Sequence, residues 1–145
     1  MLSALKLSEH FYIREMLVTN TGLPNIPGPK ALRNMMAFAD NVLEPLRLRT
    51  GPIIITSGFR TKAVNEAVGG SSTSYHLKGL AADMAFPDVG SAKAIDILRE
   101  SGITVDQAIL YHPDRGGHVH VGWNPDGRNR NLFQYQPKTG GLVPL

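Results

Sequence analysis

The chain has 145 residues, no cysteine and a formal net charge of +3, and its 42% hydrophobic content with only 19% charged residues excludes a disordered or fibrous protein. That length suits one hydrophobic core, hence a single domain spanning 1–145. Without thiols there can be no disulfide framework and no thiolate metal site, so any metal must be held by His, Asp or Glu.

Lys and Arg are scattered rather than interleaved with aromatics, so no nucleic-acid partner is expected. The mild positive charge instead favours encounter with anionic surfaces such as lipid or bacterial wall polymers. Met1 to Glu9 lacks a basic stretch followed by an apolar run, and no segment approaches the ~20 apolar residues of a membrane span. A product made in the cytoplasm without a signal peptide or membrane insertion is the expectation.

In chain order, residues 1–20 carry a short apolar pattern worth one or two helical turns, and Gly22 to Gly28 reads as a stiff loop. From Pro29, a good first helical residue, Leu32, Met35, Met36, Ala39, Val42, Leu43 and Leu46 recur on one face and predict the main core helix, its methionines filling the core. Pro45 lacks a backbone donor, so this helix should bend near Asn41 or restart at Pro45, then stop at Gly51. Pro52 to Ser57 is a β-branched run predicting a buried strand, after which Thr61 can cap a short helix ending at Gly69-Gly70. Leu80 to Phe86 predicts a second strand, Ser91 caps a helix running through Leu98 and ending at Gly102, and Gln107 to Tyr111 with His118 to Trp123 predicts an antiparallel hairpin. The remainder, 124–145, is polar and turn-rich, with at most a short strand around Leu132 to Tyr135. These elements make an α+β fold, an antiparallel sheet with helices packed on one side.

The chemistry gathers in Ser74-Tyr75-His76-Leu77-Lys78-Gly79-Leu80-Ala81-Ala82-Asp83 and in His118-Val119-His120. In a strand, residues two apart share a face, so His118 and His120 project together while Val119, Val121 and Trp123 point away, Trp123 into the core. Asp83 shares its face with Ala81 and Ala85, both small enough to leave room for a ligand. Two imidazoles and a carboxylate bind Zn²⁺ with a fourth position open to water. Spacing alone serves equally well for ordinary loop and strand histidines, and it leaves open which histidine completes the set.

The string Ser74-x-His76-x-x-Gly79-x-Ala81-x-Asp83, preceded by Ser57-Gly58-Phe59-Arg60 and followed by His118-x-His120, resembles the zinc D-alanyl-D-alanine carboxypeptidase family. Val42 to Arg47, Asn65 with Val68-Gly69-Gly70, and Asp106-Gln107 are similar to its small peptidoglycan-hydrolase and phage endolysin-like branch, within the wider lysostaphin, carboxypeptidase and hedgehog-like group. The resemblance covers about residues 8–123. It implies His76, Asp83 and His120 as zinc ligands, Arg60 as the arginine that binds substrate and steadies the oxyanion, Ser74 near the substrate, and His118 beside the metal. Many relatives carry an acidic general base three residues before the last ligand, where this chain has Gly117. His118, His112 and Asp114 remain as candidates, with His118 favoured because it shares the ligand face and His112 and Asp114 read as turn residues.

The function so implied is zinc-dependent hydrolysis of a bond in peptidoglycan stem peptides by a monomer acting on the cell wall, as in phage lysis. The competing expectation is a non-catalytic zinc module, hedgehog-like or phage-structural, which Gly117 favours.

Overall fold

A computed structural model of the chain describes residues 4–145, so the part of the N-terminal apolar pattern on residues 1–3 lies outside the described residues. Of the one or two helical turns expected there, helix α1 (Ile13–Met16) is one, with Ile13 and Met16 buried. Helix α2 (Pro29–Phe38) starts at its proline.

The chain then keeps its helical course past Pro45 by widening. Ala39–Leu43 form a π turn in which the Glu44 N–H donates to the Ala39 carbonyl, and α3 (Glu44–Thr50) follows without a break. The wider turn absorbs the ladder position that a proline, having no N–H, cannot fill. The expected bend or restart is therefore a π insertion. The apolar face holds with one correction: Met35, Phe38, Ala39, Val42, Leu43 and Leu46 are buried, whereas Met36 is 48% exposed.

Strand β1 (Ile54–Ser57) leads through Arg60 into α4 (Lys62–Ala67), and the Thr61 hydroxyl caps that helix by accepting from the Val64 N–H at 3.2 Å. After the 3₁₀ turn Tyr75–Lys78 come β2 (Ala81–Ala85) and α5 (Ser91–Glu100). Ser91 does not cap α5. The capping position belongs to Gly90, which enters the helix with φ near +80°, and Ser91 is the first helical residue. Strand β3 (Gln107–Tyr111), the turn Pro113–Arg115 and β4 (Val119–Gly122) complete the hairpin, with β5 (Leu132–Gln136) and β6 (Val143–Pro144) beyond.

Among the described residues the six strands form one sheet in the order β1-β2-β4-β3-β5-β6. It is antiparallel except that β5 runs parallel to β3, which corrects the purely antiparallel expectation. Residues 124–131 carry the chain from β4 past the end of β3 to its far side, so β5 runs antiparallel to β4 and parallel to β3. Residues 124–145 thus extend the sheet, and Phe133 packs on the core.

One sheet face, with Ala82, Met84, Ala108, Val119 and Val121, packs with α2, α3 and α5 into a single apolar cluster that includes Trp123. The other face carries Asp83, His120 and Tyr111. No helix among the described residues is long and apolar enough to cross a membrane.

Gly79 closes the turn before β2 with φ near +75°, and a Cβ there would lie 2.7 Å from Met35 Cγ and 2.8 Å from the Ala31 carbonyl oxygen. Gly79→Ala should therefore destabilise by more than the ~1–2 kcal/mol of left-handed backbone strain alone. Gly69→Ala, at φ near +73° with open space around it, isolates that strain. Thermal unfolding of both variants should place Gly79→Ala well below Gly69→Ala, and equal midpoints would contradict the packing argument.

Candidate metal centre

Strand pairing assembles the centre. Asp83 on β2 lies directly opposite His120 on β4, and Ser57 on β1 pairs with Asp83 from the other side. A register shift between Ile55 and Ser57 interrupts β1. Without it Ser57 would share the core face of Ile55; the bulge turns it toward the site.

His76, Asp83 and His120 bring one donor atom each to within 4.8 Å of one another. His76 Nε2 lies 3.4 Å from Asp83 Oδ1, and His120 Nδ1 lies 2.9 Å from the same oxygen. His76 is buried, and its Nδ1 lies 2.6 Å from the Gly58 carbonyl oxygen. A carbonyl only accepts, so Nδ1 must carry the proton and Nε2 turns its lone pair to the cluster. This carbonyl lock is the kind of support that orients a metal-ligating imidazole.

The set fits zinc. Two neutral imidazole nitrogens and a carboxylate oxygen are ordinary zinc donors, and neighbouring donors of a tetrahedral ion stand about 3.3 Å apart, close to the His76–Asp83 spacing. Burial alone would push the Asp83 carboxyl up. The hydrogen bond from His120 and the close approach of His76 outweigh it and hold the group well below the usual carboxylate range. Asp83 is thus an anion across the physiological range, as a ligand must be.

Arg60 borders the triad. Its Nη2 donates to Asp83 Oδ2 at 3.5 Å, its Nε to Ser57 Oγ at 3.1 Å and its Nη1 to the Asn65 carbonyl oxygen Oδ1 at 3.3 Å. Asn65 is itself buried and donates to the Ser71 carbonyl. The guanidinium is thereby fixed from three directions.

His118 stands just before β4, with Nε2 3.9 Å from Asp83 Oδ2 and its ring stacked on Tyr111 at 4.3 Å between centroids. Desolvation pulls its pKa down despite the opposing pull of Asp83, which favours the neutral ring. Ser74 Oγ accepts from the His76 N–H at 3.2 Å and so shapes the loop while lining the cavity. Gly117 adopts φ near +64° after Gly116 at +103°, backbone that glycine takes readily and that strains a residue with a Cβ. His112 and Asp114 are occupied in the turn: His112 Nδ1 accepts from the Asp114 N–H, and the Asp114 carboxylate pairs with Lys138 at 3.0 Å.

A cavity of about 560 Å³ opens over the triad, lined by Arg60, Ser74, Tyr75, Tyr111, Asp106 and Arg130 among others. Tyr111 carried no sequence signal beyond its place in an apolar strand, and Asn65 was visible without a role.

An α+β sheet with a His-Asp-His donor set, a fixed guanidinium beside it and an open cavity in front is the layout of a metal-dependent hydrolase. Residues 9–122 match the family model of Peptidase M15, and the chain belongs to that family. It is similar to the zinc D-Ala-D-Ala carboxypeptidase of Streptomyces albus G, with 36% identity over 77 residues. That alignment takes in 53% of this chain and 29% of the relative, so the chain spans under a third of the relative's length.

Substituting His76, Asp83 or His120 by alanine should each abolish stoichiometric zinc uptake, measured by isothermal titration with metal analysis, whereas His112→Ala should bind like the parent. Full uptake by His120→Ala would remove it from the ligand set.

Proposed function

We propose that this protein is a zinc-dependent peptidase that hydrolyses a peptide bond in bacterial peptidoglycan stem peptides, of the D-Ala-D-Ala carboxypeptidase or L-Ala-D-Glu endopeptidase type. The observation that carries the reading is the placement of the donor triad and Arg60 side by side on the wall of one open cavity. His76, Asp83 and His120 would hold the zinc, which when bound would supply Lewis acidity and lower the pKa of a water toward neutrality.

The chain's own residues divide the rest of the work. The Arg60 guanidinium is oriented before substrate arrives, so it meets the negative charge growing on the scissile carbonyl oxygen without reorganisation. His118 is stacked on Tyr111, 3.9 Å from an Asp83 carboxylate oxygen, with a pKa drawn down by desolvation, which suits it to accept a proton from the attacking water and return it to the leaving amine. In this role it replaces the carboxylate that Gly117 cannot supply. Ser74 holds the loop that presents His76.

An open cavity of this size suits a peptide borne on a polymer better than a lone dipeptide. The net charge of +3 supports residence on an anionic wall, so the site of action is the cell wall. The second reading is a zinc module without catalysis, favoured by the glycine at 117.

Digestion of purified peptidoglycan followed by mass spectrometry of the released peptides tests the assignment and identifies the bond. Cleavage should vanish with chelator and return with zinc. Chelator-insensitive products would overturn the zinc mechanism, and a folded, zinc-loaded protein that cleaves nothing would establish the binding module.

For the proton-transfer role, His118→Ala should keep its zinc and lose roughly 10²–10⁴ in kcat. Unchanged kcat would exclude His118.

A further inference from the structure

At the other end of the cavity stands a charged pair outside the metal centre. Asp106 is buried, and its carboxylate accepts from Arg130 three times: from the backbone N–H at 3.2 Å and from Nε at 3.1 Å on Oδ1, and from Nη2 at 2.9 Å on Oδ2. The Arg130 side chain is nonetheless 62% exposed. Its Nη1 has no hydrogen-bond partner among the described residues, although the residue lines the cavity. A guanidinium gripped along one edge and free along the other presents donors in a fixed direction.

The sheet order sets where that direction lies. Arg60 follows β1 and Arg130 precedes β5, while the metal donors on β2 and β4 fall between them in the order β1-β2-β4-β3-β5. The two guanidiniums therefore flank the triad from opposite sides. The Asp106 N–H donates to the Gly122 carbonyl at 2.8 Å, and Gly122 follows His120 by two residues on the same strand face. Two strand residues span about 6.6 Å, the reach of one or two peptide residues. Gly122 has no side chain to block the floor between them, and a Cβ there would lie 3.1 Å from the Tyr75 ring.

We infer that Arg130, aimed by Asp106, is a substrate-anchoring residue that takes a carboxylate of the bound peptide one or two residues from the scissile bond, opposite Arg60. The inference rests on the peptidase reading above and adds the second contact point. Arg130 falls beyond residues 9–122, the part that matches the family model. Asp106 is a positioning residue, since it acts by holding the guanidinium. The carboxylate is either internal, as on a glutamyl residue of the stem, or the peptide's C-terminus.

The test measures kcat and KM of the zinc-loaded protein on a short stem peptide made in acid and amide versions at each of these two carboxylates. The parent should prefer the acid over the amide at one position by roughly tenfold in kcat/KM, mostly through KM. That position identifies the carboxylate. In Arg130→Gln the preference at that position should fall to near one with zinc content retained. Asp106→Asn should reduce it in the same direction, again through KM more than kcat. Acid and amide cleaved equally by the parent, or the preference kept intact in Arg130→Gln, would overturn the inference while leaving the peptidase reading standing. Failure of the parent to cleave any of the peptides would overturn both.

Discussion

Asp83 faces His120 because β2 and β4 pair antiparallel, with Ala82 against Val121 and Met84 against Val119 on either side of that pair. Those flanking pairs belong to the apolar cluster. A slip of one residue would bury Asp83 and expose Met84, so the hydrophobic core itself enforces the register that makes the centre. The same pairing fixes the geometry of everything that follows: His76 reaches the carboxylate from the turn before β2, Arg60 from the end of β1, and His118 from the start of β4. Packing energy on one face of the sheet is thereby converted into positional accuracy on the other.

The price of this arrangement is an ionised carboxylate with little solvent. Isolated, Asp83 would take up a proton rather than stay charged there. Three histidines and a guanidinium surround it, and three of these four are held by something else: His76 by the Gly58 carbonyl, Arg60 by Ser57 and Asn65, His118 by the Tyr111 ring. No buried side-chain nitrogen or oxygen among the described residues lacks a partner. A polar cluster satisfied this fully is rigid, and rigidity is what a centre needs to present donors before the ligand arrives. The open cavity then leaves one side of the cluster accessible.

Much of this was legible in the residues. The period-two alternation from Leu80 to Phe86 and from His118 to Trp123 separates core from site, and Thr61 marks a helix start by its hydroxyl. The His76-to-Asp83 string and His118-x-His120 reveal the donors, although choosing His120 over His118 took the resemblance. Other features depend on contacts that no local pattern encodes. Met36 lies next to Met35 in the helical stripe, yet the sheet covers only one of them. The π turn at Ala39–Leu43 is one of several ways a helix can tolerate Pro45. Leu132 to Gln136 alternates weakly, so its parallel partner is set by the path of residues 124–131 rather than by its own pattern. The Asp106–Arg130 pair joins residues 24 apart in sequence and comes together only when β5 docks beside β3.

The sheet register presents a preformed two-histidine, one-carboxylate donor set, and we propose that zinc binds it with His118 and Arg60 beside the metal rather than on it. The most direct measurement is a crystal structure of the zinc-loaded protein with anomalous scattering at the zinc edge. One strong peak is expected, bonded to His76 Nε2, an Asp83 carboxylate oxygen and His120 Nδ1, with the His76 Nδ1–Gly58 hydrogen bond intact. A peak bonded to His118 in place of His120, or ligation through His76 Nδ1, would contradict it.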